Sequence, residues 1–347
     1  MLNDFKVECK MGLIEKLRSM LGIQEKIATA AQTSLIRSKR NVELNRKWLT
    51  LYQPDFFGRA HHSPNKRWIV GCDDSDGNGR GGYREAGNGR VILVDYQADK
   101  VMHELTKFAR PVDAVVSDVG SYIVHDSGFG DTLQGDVIAI DVAGEEIFRR
   151  HYSANVSNIG LSPCGRFAAV QTANAPNEDG NIFEVLDINL GVVIFTVPPA
   201  TGWAKNYLFN TDNNGNLCEI VVEHKDLGCF RYSATGDFQD SEAFQAAQLD
   251  KGDYATKLMA AQNLLKTDFA PDNAQKALSV ADSALSEGAN GRSDWAAVAH
   301  RVRGESYELL GQLTEALDAF EQALALNPKI GVQRRVTYLR KKLSARE

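Results

Sequence analysis

Between residues 64 and 233 one phrase recurs four times. A turn followed by an apolar run reads Pro64-Asn65-Lys66 then RWIVGC, Asp118-Val119-Gly120 then SYIVHD, Pro163-Cys164-Gly165 then RFAAVQ, and Asn213-Asn214-Gly215 then NLCEIVVE. A second run follows each: GRVILVDY from Gly89, GDVIAIDV from Gly135, GNIFEVLDI from Gly180 and, less regularly, LGCFRYSA from Leu227. Those starts lie 46, 45 and 47 residues apart. In the best-formed unit, Ser157 to Pro198, four short runs alternate with turns: SNIGLS, RFAAVQT, IFEVLDI and VVIFTV. Runs rich in Val, Ile and Phe between turn residues are strands. A single four-stranded meander leaves one apolar face uncovered, so each unit needs a neighbour.

A period of about 45 residues with four strands per unit is the mark of a propeller blade. The Ser-x-x-Gly-Arg-apolar run of Ser162 to Ala168, followed by the run from Gly180 through Ile182 to Asp187, resembles WD40-like propeller repeats. The resemblance spans about Trp48 to Asp240 and is architectural, because no Trp-Asp dipeptide closes a repeat and no Gly-His opens one. It implies a small propeller, or a propeller arc, of about four blades.

The fourth unit lacks a good outer strand. After LGCFRYSA comes DFQDSEAFQAAQLDKGD, which is acidic and soon helical. Trp48 to Tyr52 reads as a lone strand ahead of the first complete unit. A ring of blades keeps free edges unless it closes. Trp48–Tyr52 is therefore expected to supply the missing outer strand of the last blade; otherwise the arc stays open and pairs with another copy. The loops between second and third strands are unequal, from DDSDGNGRGGYREAGN in the first unit to HKD in the fourth. Together they make one end of the propeller a decorated, acidic surface suited to recognition.

From about Ser241 the apolar period changes from two to 3.6. Ala255–Asp268, Asn273–Glu287, Asp294–Leu310, Leu313–Leu326 and Gly331–Ala345 read as five helices. Gly304, Tyr307, Gly311, Ala316, Phe320, Ala323 and Pro328 stand at the offsets of a tetratricopeptide repeat, and this stretch resembles that family. Small Gly304 and Ala316 let the paired helices cross closely, Phe320 fills the gap to the next repeat, and Pro328 stops the second helix. Ala277, Ala281 and Ala284 repeat the spacing of Ala316, Phe320 and Ala323, so a degenerate repeat precedes the clear one. The last helix caps the stack. The resemblance implies a groove lined by the first helix of each repeat, where Arg301, Glu305 and Glu308 form one stripe able to hold a peptide by mixed charges; solvated surface charge is the plainer reading. These residues do not reproduce a carboxylate clamp. Arg334, Arg335, Arg340, Lys341, Lys342 and Arg346 make the last helix basic, fit for an acidic partner or simply solvated.

The sharpest local motif lies in the first-unit loop. Asp74-Ser75-Asp76-Gly77-Asn78-Gly79, with Glu85 at the twelfth place, satisfies the spacing of a calcium loop. Asp74, Asp76, Asn78 and Glu85 are the candidate ligands of Ca2+. The flanks read as strands, and Gly81 stands at the eighth place where an EF-hand carries an aliphatic residue, so a flexible polar loop is the simpler reading. His61-His62 reads as a surface pair, and His125-Asp126 as a locally bonded pair or a ligand-orienting one near the propeller's end. No nucleophile elbow, phosphate-binding glycine loop or spaced carboxylate pair nominates a catalytic set.

Composition sets the remaining bounds. A net charge of −6 disfavours non-specific nucleic-acid binding. Five cysteines with no C-x-x-C pair indicate reduced thiols and a cytoplasmic setting. Asp4, Lys6, Glu8 and Lys10 interrupt the apolar core of a secretory signal, and no run approaches a membrane span of about 18 apolar residues. Leu13, Ile14, Leu17, Met20 and Leu21, then Ile27, Ala30, Ala31 and Leu35, give an amphipathic helical stretch from Met11 to about Val42, with a basic link over Arg37–Lys47.

The expected architecture is β then α: N-terminal helices and linker over 1–47, a WD40-like propeller over 48–240, and a tetratricopeptide-like helical domain over 241–347. The expected role is a non-catalytic scaffold or accessory subunit that binds other proteins, self-association included. The rival is a propeller enzyme or small-ligand sensor with calcium in the first-unit loop.

Overall fold

The computed structural model describes residues 41–76, 81–82, 84–267 and 269–345. The expected N-terminal helices therefore lie, up to residue 40, outside the described residues. Four antiparallel sheets follow one another along the chain. The first holds β1 (Val42–Asn45), β2 (Trp48–Tyr52), β3 (Asp55–His62), β4 (Trp68–Asp73), β5 (Gly89–Asp95) and β6 (Lys100–Phe108), in that spatial order. The second is β7 (Pro111–Val116) to β10 (Glu146–Tyr152), and the third β11 (Val156–Leu161) to β14 (Val192–Val197). The fourth has three strands, β15 (Asn206–Thr211), β16 (Leu217–His224) and β17 (Gly228–Ser233).

The first three sheets bury both faces of their middle strands, and the fourth buries only the face of β16 turned toward the third blade. β8 (Tyr122–Asp126), β12 (Phe167–Thr172) and β13 (Phe183–Asp187) are buried along their whole length. Trp68, Val70, Val91 and Leu93 meet Val116, Tyr122, Val124 and Ile138 between the first two sheets. Ile123, Val137 and Ala139 meet Ile159, Ala168, Val170 and Leu186 between the next two. Phe183 and Val185 meet Tyr207, Ile220, Val222 and Tyr232 between the last two. At about 1.5–3 kcal/mol for each fully buried aliphatic or aromatic side chain, these three seams dominate the stability of the β region.

The recurrent phrase has a mechanical meaning. In the first and third blades a serine hydroxyl accepts the N–H of the residue five places on: Ser63 from Trp68 at 3.0 Å and Ser162 from Phe167 at 2.9 Å. The arginine after the turn pairs with the aspartate that ends the third strand, Arg67 with Asp95 at 3.0 Å and Arg166 with Asp187 at 2.7 Å. The turns then stitch successive blades. The Trp68 indole N–H donates to the Asp118 carbonyl at 3.1 Å, the Asp118 N–H to the Pro163 carbonyl at 2.8 Å, and Arg166 to the Gly215 carbonyl at 2.9 Å.

The ends of the arc depart from expectation. Trp48–Tyr52 does not complete the last blade: β2 pairs with β1 on one side and β3 on the other. The two-residue Gln53-Pro54 turn joins β2 to β3 in a hairpin, so its partners are its neighbours along the chain. Val42–Asn45, inside the stretch read as a polar link, is itself a strand. Together β1 and β2 fold over the outer face of the first blade, where Val42, Leu49 and Leu51 cover Phe56, Ile69, Ile92 and Val94. The free β1 edge is blocked, since Asp99 accepts the N–H groups of Asn41 and Val42 at 3.2 and 3.3 Å. At the far end, the register places Leu208, Asn210, Glu219, Glu223 and Arg231 on the face turned away from the third blade. That face is largely polar, with Asn210 bonded to Glu219 at 2.7 Å and Arg231 paired with Asp240 at 2.7 Å. The missing outer strand is reduced to one bridge between Tyr232 and Phe238. Among the described residues no buried cluster joins the first and fourth blades.

Six helices follow: α1 (Ser241–Lys251), α2 (Tyr254–Thr267), α3 (Pro271–Ser286), α4 (Ser293–Leu309), α5 (Leu313–Leu326) and α6 (Gln333–Ser344). Five match the expected helices within about two residues. α1 is additional, and joins the two regions by packing Phe244 edge-on against Phe230 and Phe238, at 4.9 and 5.9 Å. Ala277, Ala281 and Ala284 of α3 are fully buried against α2 and α4. A Cβ on Gly304 would stand 2.5 Å from the Phe320 ring, so α4 and α5 cross where only glycine fits. Phe320, Val332, Val336 and Leu339 seat α6 as the cap.

Candidate functional site

Arg301, Glu305 and Glu308 lie together on one face of α4, and Arg335 joins them. Arg301 on α4 pairs with Glu305 one turn on at 3.0 Å and donates to the Ile330 carbonyl at 3.1 Å. Arg335, reaching over from α6, lies 3.4 Å from both Glu305 and Glu308 and stands over the Phe320 ring at 5.6 Å. Arg301, Glu305, Arg335 and Glu308 thus form one alternating charge network across two helices. Sequence reasoning placed Arg335 only in a basic run. The missed signal was its position, 34 residues after Arg301, which is one repeat length. The remaining cations of α6 divide. Arg340 is tied to Glu321 at 2.7 Å, Lys342 stands over the half-exposed Tyr338 ring at 5.5 Å, and Arg334 and Lys341 face solvent.

In the first-blade loop, Asp74 already has a backbone partner, accepting the Gly82 N–H at 2.9 Å. Asp76 lies against Gly87, Glu85 is exposed, and Asn78 lies outside the described residues. Among the described residues no group of three or more His, Cys, Asp or Glu side chains is placed to hold a metal ion. Arg84 anchors the loop, donating to the carbonyls of Asp74 and Ala109, while its own carbonyl accepts the Gly130 N–H at 3.2 Å. The loops of the first two blades therefore meet at one end, as expected of a decorated propeller face.

The histidines are structural partners more than a set. His61 contacts Asp113 across the first two blades at 3.1 Å, beside Arg59 at 3.4 Å. Asp126 accepts the N–H groups of Ala109, Arg110 and Gly128 at 2.8, 2.7 and 3.1 Å, which fixes the junction between blades. Its neighbour His125 is buried, and burial pushes its pKa down to about 4, so the ring is neutral near pH 7. The deepest carboxylate, Glu184, is bonded to Tyr152 at 2.6 Å, Thr196 at 2.9 Å and Arg150 at 3.2 Å, a network that ties the second blade to the third.

With α4, α5 and the Pro328 stop in place, the helical region can be compared with known families. Residues 297–330 match the family model of the tetratricopeptide repeat. Comparison of the whole chain with curated proteins gives no significant match. Among solved structures, the chain is similar to the WD40 domain of Pan2 from Neurospora crassa, with 12% identity, TM-score 0.33, and coverage of 55% of this chain and 58% of that one. It is similar to a complex of KlAtg21 with the coiled-coil of AgAtg16, with 11% identity, TM-score 0.36, and coverage of 55% and 59%. Hydrazine synthase from Kuenenia stuttgartiensis gives 12% identity, TM-score 0.33, and coverage of 51% and 61%. The chain thus spans under two thirds of each of these structures, and the blade architecture rests on its own strand order and packing. The molecule has a repeat architecture, antiparallel blades followed by tetratricopeptide-type helices, and helical repeats of this type generally serve protein–protein association. No helix among the described residues is long and apolar enough to cross a membrane.

Proposed function

We propose that this chain is a non-catalytic interaction scaffold, or an accessory subunit of a larger assembly, presenting a propeller face and a helical-repeat groove to partner proteins in the cytoplasm. The observation that carries this reading is the stripe of Arg301, Glu305, Arg335 and Glu308 across α4 and α6. Alternating charges on a rigid surface suit a polar, mixed-charge peptide, because each side chain is already oriented before the partner arrives. The free thiols of Cys72, Cys164, Cys218 and Cys229 go with a reducing compartment.

Affinity capture with the whole chain, beside Arg301→Gln and Glu308→Gln variants of unchanged helicity, tests the groove. Partners held by the parent chain and lost by both variants support it. An identical partner set for all three contradicts it. A second reading, an enzyme or sensor with calcium at Asp74, Asp76, Asn78 and Glu85, is favoured by the spacing of those residues alone.

A further inference from the structure

Arg110, at the junction of β6 and β7, carries a guanidinium that no carboxylate pairs with among the described residues. Arg67, Arg90, Arg150 and Arg166 each hold a carboxylate. Arg110 forms no ion pair among the described residues, and its Nε is buried with no acceptor. A buried, unpartnered donor is costly enough that most such groups have a partner, and each exception calls for one. The backbone gives the side chain a fixed origin. Its N–H donates to Asp126 at 2.7 Å, and its carbonyl accepts the Ser127 N–H at 3.0 Å.

Arg110 lines a cavity of about 410 Å³ at the loop end, between the second and third blades. His125, Ser127, Thr132, Asn155 and Val156 complete much of its wall. A Cβ on Gly135 would come within 3.1 Å of His125 Nε2 and 3.3 Å of Val156 Cγ2, so the glycine gives these two side chains their room.

The wall chemistry selects the ligand. A guanidinium fork matches a planar, two-oxygen anion. The neutral His125 ring adds no second positive charge, while Asp131 on the rim opposes a doubly charged group. The Thr132 hydroxyl and the Asn155 amide are uncharged donors for the remaining lone pairs, while the Ser127 hydroxyl lies 3.4 Å from His125 Nε2. We propose that this cavity binds a single carboxylate, carried by a small organic acid or by an acidic side chain of a partner protein.

The test is thermal melting and calorimetry of the full chain with butyrate, with N-acetylglutamate amide and with inorganic phosphate, at constant ionic strength. A saturable rise in Tm with a carboxylate probe is expected. Arg110→Gln should weaken it roughly ten- to a hundredfold, the loss of charge-assisted bonds. Arg110→Lys keeps the charge without the fork and should lie between. Tighter binding of N-acetylglutamate amide assigns the site to a peptide side chain, and tighter binding of butyrate to a free acid. Thr132→Val, on the exposed rim, is the second variant should Arg110→Gln fail to fold, and should also weaken binding. No saturable shift with either carboxylate, an undiminished shift in the variants, or tighter binding of phosphate would overturn the proposal.

Discussion

Leu49 lies directly against Gly71: a Cβ added to Gly71 would come within 2.9 Å of Leu49 Cδ2 and of Phe56 Cε1. The missing side chain is what lets the β1–β2 hairpin close over the first blade. Gly71→Ala should cost about 1–3 kcal/mol by overpacking, and Leu49→Ala about 2–5 kcal/mol by leaving a cavity. Urea unfolding of the two single variants and the double variant measures both. The double variant should lose less than the sum, because the cavity of one accepts the methyl of the other. Strict additivity would place the hairpin elsewhere.

Gly304 and Phe320 make the same argument in the helices. Gly304→Ala drives a methyl into a ring 2.5 Å away, with Phe320 itself fully buried. It should cost at least about 1–3 kcal/mol, and Phe320→Ala about 3–5 kcal/mol. Helical circular dichroism should melt early in both variants while the near-ultraviolet signal of the blades persists to higher temperature.

Stability should fall with acid through His125. Its folded pKa, pushed down to about 4 by burial, lies below the ordinary histidine value. Asp113 and Asp126 act to raise that value, while Arg110 adds to burial in lowering it. Between these two values the unfolded chain binds the proton and the folded chain does not. This contribution is therefore complete above about pH 6.5 and is lost as pH falls toward 4, amounting to about 3 kcal/mol. His125→Asn should flatten the stability profile over that window; a profile of unchanged slope would show that the ring titrates normally.

Calcium is expected to leave the melting temperature unchanged relative to EDTA. The Asp74 carboxylate is already bonded to the Gly82 N–H, and Glu85 is exposed. A rise in Tm with calcium that vanishes in Asp74→Ala/Asp76→Ala would instead assign a metal to this loop.

Much of the fold was legible because repetition reports itself. Strands β4, β8, β12 and β16 and their partners follow from spacing alone, and the close helix crossing at Gly304 was implied by the resemblance to a tetratricopeptide repeat, although Phe320 is what meets it there. What escaped depends on neighbours in space. Val42–Asn45 sits in a basic, polar run whose strand character appears only once Val42 meets the first-blade core. Trp48–Tyr52 was expected to close the last blade, but it pairs with β1 and β3, its neighbours along the chain. α1 has a single buried residue, Leu249, so its apolar face is faint in sequence. Of the groove, Arg301, Glu305 and Glu308 share one helix face and were visible, whereas Arg335 joins them from another helix. The lack of an ion pair at Arg110 among the described residues has no sequence signature, because it is a property of the packed structure.

The most direct test of the scaffold account is hydrogen exchange on the full chain, alone and in complex with a protein that it retains on capture. Protection concentrated in peptides covering residues 301–308 and 334–342 is the predicted result. A specific complex that leaves both segments exchanging as in the free chain would contradict the account.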